Sequence, residues 1–348
     1  MQLIKLILYP ILIITQILYC VVIELRNILY KYNFLTITKF SIKIISVGSL
    51  KIGGAGKTPL VEYLIKELNQ HNELAILSRG YKRKSKGFLI AKKTHTAYEI
   101  GDESSQIKNN YPNLLIAVSE NRVHGVKKII SRNPNIKTII LDDGHQHRKL
   151  ARDLNIIVTE YDDLYSNDKL FPLGNLRDSV NSASRAHIII VTKCPKKISL
   201  ESKKEIKQKI AVKSNQKLFF SYINYKKLIN VKTKDCEDFK IKEKYFLLTG
   251  IGNSKPLLNY LTINKIEFEH FKYPDHYFYS KKDIENLITE GKKKETKNLI
   301  ITEKDFNRLT KSDLETLSIY FNLLYLKIEF DFNQKEKRMF NKQIRKFI

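Results

Sequence analysis

Gly56-Lys57-Thr58 stands after a short β-branched run, Ile42-Lys43-Ile44-Ile45-Ser46-Val47, and before Pro59 and a helical pattern that continues through Leu68. Strand, glycine-rich loop and helix in that order make a phosphate site. Backbone N–H groups at the helix start wrap the phosphates, the lysine reaches the β and γ oxygens, and the hydroxyl after it ligates Mg²⁺. The candidate nucleotide-binding residues are therefore Lys51, Ile52, Gly53, Gly54, Ala55, Gly56, Lys57 and Thr58. A strict Walker A motif has glycine five residues before Gly56, where this chain has Lys51. Lys51 is expected either to add a cation near the phosphates or to point outward. A second segment, Thr138-Ile139-Ile140-Leu141-Asp142-Asp143-Gly144, has the form of a Walker B strand whose tip carries two carboxylates. One can hold the metal directly and the other through water, with Thr58 completing the ligand set. Alone, the first segment could be a simple glycine turn and the second a solvated acidic turn. Together they point to chemistry on MgATP.

The elements that would position these residues alternate along the chain. Short apolar runs near 42–47, 74–78, 114–118, 137–141, 154–159, 187–192 and 217–222 are separated by polar or helical stretches, which implies an α/β fold with a mainly parallel sheet and flanking helices, as in P-loop NTPases. Further strand-like runs at 245–248, 266–268, 299–301 and 319–328 read as a second, smaller α/β domain. The expected division is an anchoring helix over 1–30, a P-loop kinase core over 31–223 and a smaller domain over 224–348, with the boundary in the polar stretch 224–244.

Residues 6–23 are eighteen consecutive uncharged residues between Lys5 and Glu24. As a helix they would be about 27 Å long, at the lower limit for crossing a bilayer. Pro10 and Thr15-Gln16 weaken a plain span, and an interfacial helix fits as well. The residues before Cys20 are too large for a signal-cleavage site, so the segment reads as a retained anchor. Arg26, Lys31, Lys39 and Lys43 follow it and keep the rest of the chain on the cytoplasmic side. Cys20, Cys194 and Cys236 match no metal or redox spacing, which also favours a reducing compartment. The 348 residues carry a net charge of +26, which calls for an anionic partner: nucleic acid, membrane or phosphorylated substrate.

The ordered motifs resemble the tetraacyldisaccharide 4'-kinase family, the lipid A kinases. They are Val47-Gly48-Ser49-Leu50 running into the glycine loop, Ser78-Arg79-Gly80-Tyr81, Gly101-Asp102-Glu103, and Asp142-Asp143-Gly144-His145-Gln146-His147-Arg148 with Arg152-Asp153-Leu154. Pro172-Leu173-Gly174-Asn175-Leu176-Arg177-Asp178, Gly250-Ile251-Gly252-Asn253, Tyr273-Pro274-Asp275-His276 and Thr302-Glu303-Lys304-Asp305 complete the series. The resemblance covers nearly the whole chain and includes the N-terminal helix. It implies transfer of the ATP γ-phosphate to the 4'-hydroxyl of a tetraacyldisaccharide 1-phosphate at the cytoplasmic face of a bacterial inner membrane. The product would be a 1,4'-bisphosphate in lipopolysaccharide biosynthesis. The implied cofactors are ATP and Mg²⁺, and the implied partners are the acylated disaccharide and the membrane surface, with no nucleic acid and no obligate protein partner.

The same resemblance assigns the acceptor base to Asp102, assisted by His276, and a place near the metal to Asp178. Across two proposed domains the pair would meet only in a closed cleft. Departures from the family pattern stand at His145, where an aromatic residue is expected, at Asp178 in place of glutamate, and at Lys51. Arg79, Arg122 and Arg177 are candidates for phosphate or headgroup contacts, since guanidinium suits bidentate oxygen recognition, with surface ion pairing as the plainer reading. His145 and His147 are too weakly patterned for a zinc site. A membrane-bound P-loop switch or ATPase would lack a dedicated acceptor base, and a nucleic-acid-binding protein would carry a recognisable binding motif, which this chain lacks. Deleting residues 1–30 is expected to release the enzyme from membranes and leave ATP binding intact.

Overall fold

The computed structural model describes residues 2–68 and 73–347, with side chains from Tyr9 onward. Of the anchoring run, the side chains of residues 6–8 lie outside the described residues. In chain order the strands are β1 (Lys43–Gly48), β2 (Leu74–Ser78), β3 (Leu89–Ile90), β4 (Leu115–Val118), β5 (Thr138–Asp142), β6 (Leu154–Glu160) and β7 (Ile188–Thr192). They are followed by β8 (Lys217–Asn230), β9 (Cys236–Glu237), β10 (Lys244–Thr249), β11 (Glu267–Lys272), β12 (Asn298–Thr302) and β13 (Asn322–Phe332). The chain forms two compact units. The first comprises residues 1–79, 114–223 and 330–348, and the second comprises residues 80–113 and 224–329.

In the first unit the strands run parallel in the order β8, β7, β6, β1, β5, β2, β4. The residues of β1, β2, β5, β6 and β7 are mainly apolar on both faces and almost wholly buried, as a parallel sheet covered on two sides requires. β1 lies between β6 and β5: the connection leaving β1 leads to β2 on the β5 side, and the one leaving β5 crosses back over β1 to β6, so the direction of winding reverses beside β1. In open α/β sheets ligands bind outside the carboxyl ends of the strands at such a reversal.

The N-terminal helix Gln2–Lys31 belongs to this unit. One face meets the rest of the unit: Gln16 Nε2 donates to the Leu170 carbonyl at 3.0 Å, Tyr19 to the Arg177 carbonyl at 3.0 Å and Arg26 to the Gln146 carbonyl at 2.7 Å. Ile23 and Tyr30 are buried on the same face, while Ile14, Ile17, Leu18, Val21, Val22 and Leu25 are exposed on the other.

The second unit has its own parallel strands in the order β11, β10, β12, β13, with β9 antiparallel to the end of β8. One apolar layer of this unit packs Phe246, Leu248, Leu299 and Ile301 against Ile284 and Leu287 of the helix Lys281–Lys293. Residues 80–113 contribute the helix Asp102–Asn110, which is tied to the short helix Glu303–Arg308 by Asn110 Nδ2 donating to Glu303 at 2.9 Å and by Asn109 with Asn307 at 2.6 Å.

Candidate active site

β1 and β5 pair with Val47 opposite Asp142, so the glycine loop after β1 and the acidic pair at the tip of β5 leave the sheet side by side. The two turns approach closely. Gly144 N–H donates to the Val47 carbonyl at 3.0 Å, and a Cβ at Gly48 would come within 2.5 Å of His145 Cβ, so glycine is required there. In the loop itself Gly53 and Gly56 hold φ of 113° and 84°. A Cβ on Gly53 or Gly54 would meet nothing within 4 Å, which leaves open space for phosphate ahead of the helix Lys57–Leu68. Thr192 Oγ1 donates to the Ala55 carbonyl at 2.9 Å and fixes the far side of the loop.

Asp143, with φ of 53°, lies in the left-handed region. Both its oxygens accept from Arg177, at 2.6 and 2.8 Å, and Lys57 Nζ stands 3.7 Å away. Burial pushes its carboxyl up, but the charges of Lys57 and Arg177 outweigh that and hold it well below the usual range. Arg177 also donates to the Ser49 carbonyl at 3.1 Å and, through its own N–H, to the Leu50 carbonyl at 2.7 Å. The sequence suggested substrate contact for this arginine. The structure makes it a clamp between the acidic pair and the glycine loop. Arg122 is buried and donates to the carbonyls of Ser119 and Asp142, the second at 3.3 Å. Arg79 is exposed just beyond β2.

Lys51 does not point outward. It is buried and forms ion pairs with Asp163 and, at 2.7 Å, with Asp168. Ile52 N–H is taken by the Asn175 carbonyl at 2.8 Å. Asp178 is buried with its carboxylate on Arg185 at 2.7 Å and on Ser179 N–H at 2.9 Å. Arg185 extends to His145 Nε2 at 3.1 Å, and His145 Nδ1 faces the Asn155 side chain. Burial and the positive charges of Arg185 and Arg152 push the His145 ring down to about 3, so it sits in the core as a neutral, flat side chain. That explains how it fills a position where an aromatic residue is expected. His147 is likewise pushed down to about 3 by burial and by Arg122. Among the described residues neither histidine joins a cluster of metal-ligating groups.

Asp102 and His276 both lie in the second unit. Asp102 opens the helix Asp102–Asn110 after Gly101, whose φ is 86° and whose Cβ would fall 3.0 Å from Gly80 Cα. No larger residue fits there. His276, itself at φ 58°, is held by its N–H on the Gly250 carbonyl at 3.2 Å. Its Nδ1 lies 2.8 Å from Asp102 Oδ2. The pair therefore meets within a single compact unit, and the closure expected from sequence is not needed to bring it together.

A cation the sequence did not suggest completes the cluster. Arg308 is fully buried and donates from Nε to Asp102 Oδ2 at 3.1 Å, and from Nη1 to the Gly250 carbonyl at 2.6 Å and to Asp305 at 3.1 Å. Removing one partner of such a buried pair costs about 3–5 kcal/mol, so Arg308 fixes the carboxylate firmly. Burial pushes the Asp102 carboxyl up, but hydrogen bonds with the side chains of His276 and Glu103, together with the charge of Lys304, hold it far below the carboxylate range. The one available signal for Arg308 was its position one helical turn after Asp305 in the helix that follows Thr302-Glu303-Lys304.

A parallel sheet with a glycine loop and an acidic pair at its reversal point, in a chain that also holds a carboxylate–histidine pair, defines a P-loop phosphotransferase. A family-wide sequence model, LpxK, described as tetraacyldisaccharide-1-P 4'-kinase, matches residues 8–347. The chain belongs to this family. Among its relatives, the tetraacyldisaccharide 4'-kinase of Flavobacterium johnsoniae is 40% identical over 321 residues, covering 92% of both chains. That of Bacteroides thetaiotaomicron is 37% identical, covering 94% of this chain and 90% of the relative. The crystal structure of LpxK from Aquifex aeolicus in complex with ATP superposes with a TM-score of 0.73 at 29% identity, covering 99% of each chain.

Proposed function

We propose that the chain transfers the γ-phosphate of ATP to the 4'-hydroxyl of a tetraacyldisaccharide 1-phosphate, giving the 1,4'-bisphosphate needed for lipid A and lipopolysaccharide. The observation that carries this reading is the family match over residues 8–347, supported by a glycine loop, Lys57 and an acidic pair at adjacent strand ends. ATP and Mg²⁺ fit the residues present: the open space over Gly53 and Gly54 suits phosphate, and the Thr58 hydroxyl with the Asp142 and Asp143 carboxylates is the hard-oxygen donor set that Mg²⁺ prefers. When bound, Mg²⁺ neutralises charge on the phosphate oxygens.

Lys57 supplies a cation to the β and γ oxygens, and amides of the glycine loop other than those of Lys51, Ile52 and Ala55, whose N–H groups bond within the protein, hold the remaining charge. Arg177 keeps Asp143 ionised and in place. In the second unit, Asp102 and His276 together are the proton-accepting group for the sugar hydroxyl. Ionised Asp102 accepts from His276 Nδ1 and so orients the ring, leaving Nε2 to face the acceptor. Asp178 serves on this reading as the counter-charge of Arg185 beneath the site. Arg79, exposed, remains a candidate for the substrate headgroup.

The decisive assay follows γ-³²P from ATP into a chloroform-extractable product. Label in the lipid supports the kinase, and label released only as free phosphate would mean an ATPase.

The N-terminal helix is assigned to the cytoplasmic leaflet of the inner membrane. A membrane-crossing helix could not keep Gln16, Tyr19, Arg26 and Asn27 on the polar groups they contact, whereas a helix lying in the interface offers its exposed apolar face to lipid. Membrane retention is expected to survive a high-salt wash. Complete release by salt would show that basic charge alone holds the chain, at about 1 kcal/mol per lysine or arginine.

A further inference from the structure

The docked face of the N-terminal helix leads to the phosphate site by two short routes. Tyr19 donates to the Arg177 carbonyl, and the Arg177 guanidinium grips both oxygens of Asp143 and the Ser49 carbonyl. Arg26 donates to the Gln146 carbonyl, and Gln146 Nε2 donates to the same Ser49 carbonyl at 2.9 Å. Each route passes through one residue. Tyr19 is further seated by edge-on packing on Phe171 with centroids 6.1 Å apart. Lower on the helix, Arg148 reaches Asn27 at 3.1 and 2.9 Å and lies over the Tyr30 ring at 4.7 Å.

We propose that this helix is a positioning element of the phosphate site as well as a membrane anchor, and that Tyr19 is its positioning residue, acting through Arg177 on Asp143. The inference rests on the assignment of Asp143 to Mg²⁺ made above. The hydroxyl fixes the backbone from which the Arg177 side chain extends, and a carboxylate held at a set angle needs less reordering when the cation arrives. The sequence-based expectation that deleting residues 1–30 leaves nucleotide binding intact changes accordingly. Such a deletion removes both routes.

The test uses full-length protein in detergent micelles and a fluorescent ATP analogue titrated over a range of Mg²⁺ concentrations, with no turnover involved. Tyr19→Phe keeps the ring and its contact with Phe171 but loses the donor. One hydrogen bond corresponds to about a fivefold change, so Tyr19→Phe is expected to need about five times more Mg²⁺ for half-maximal analogue binding. Its melting midpoint without nucleotide should stay near that of the parent. Asp143→Asn, measured alongside, should shift the same curve further. If Asp143→Asn shifts and Tyr19→Phe overlays the parent, the inference is overturned while the metal assignment stands. If neither shifts, both fall. A loss of binding equal at every Mg²⁺ concentration, with a lowered melting midpoint, would mark Tyr19 as merely structural and also overturn the inference.

Discussion

Lys57→Ala is expected to lower kcat by about 10³-fold or more while leaving the fold intact. Removing a single preorganised donor to developing transition-state charge costs about 10²- to 10³-fold, and Lys57 contributes a full charge as well. Its Nζ stands 3.7 Å from Asp143 Oδ1 in a mostly buried pocket, with Arg177 on the same carboxylate. Lys57 begins its helix and packs little of the core, whose buried positions on that helix are Leu60, Val61, Tyr63, Leu64 and Ile65. Arg177 can still neutralise Asp143 in the variant, so folding should survive. Circular dichroism and the melting midpoint check the fold, and label transfer checks the rate. Turnover near the parent value in a folded variant would contradict the phosphate-site assignment.

Loss of the acceptor dyad should be comparably severe. A general base contributes about 10²- to 10⁴-fold, so Asp102→Asn and His276→Ala should each lose rate in that range, mainly in kcat, with ATP affinity little changed. Asparagine is the better test at position 102, because alanine would also take away the acceptor of the buried Arg308 Nε, which asparagine keeps. Since the two side chains share one hydrogen bond of 2.8 Å, they act as a unit, and the double variant should be hardly slower than the slower single one. Multiplied losses would mean independent roles and would remove the dyad while leaving the kinase assignment standing.

The parts of the molecule legible in the sequence are those written in local pattern. The strands β1, β2 and β4 to β7 fall within about two residues of the apolar runs, because parallel strands buried on both faces leave continuous β-branched segments, whereas β8 runs on past its apolar start to Asn230. The phosphate loop and the acidic turn were legible because each is a contiguous motif flanked by the elements that must carry it. The last strand run was partly misread: residues 311–320 form a capped helix, and the strand begins at Asn322. Leu314 and Leu317 are apolar at helical spacing there, but the run into Ile319 and Tyr320 blends with the strand that follows.

What could not be read depends on contacts between residues far apart in the chain. Nothing in the local sequence says that Arg308 would point at Asp102, that Lys51 would be consumed by Asp163 and Asp168, or that Arg177 would face inward. An arginine or lysine between polar neighbours looks the same whether it is solvated or buried. The same holds for Tyr19, which reads as one more apolar residue in an anchoring run until its hydroxyl is seen on the Arg177 carbonyl.

The central claim is that the phosphoryl group ends on a particular oxygen of a particular lipid. The most direct measurement is therefore to incubate the purified full-length chain with ATP, Mg²⁺ and tetraacyldisaccharide 1-phosphate in mixed micelles, and to record a proton–phosphorus correlation spectrum of the extracted product. The account predicts a second phosphomonoester signal coupled to the proton on carbon 4' of the distal sugar, appearing in proportion to ADP formed. A new phosphorus coupled to any other position, or ADP accumulating with only the original 1-phosphate in the lipid, would contradict it.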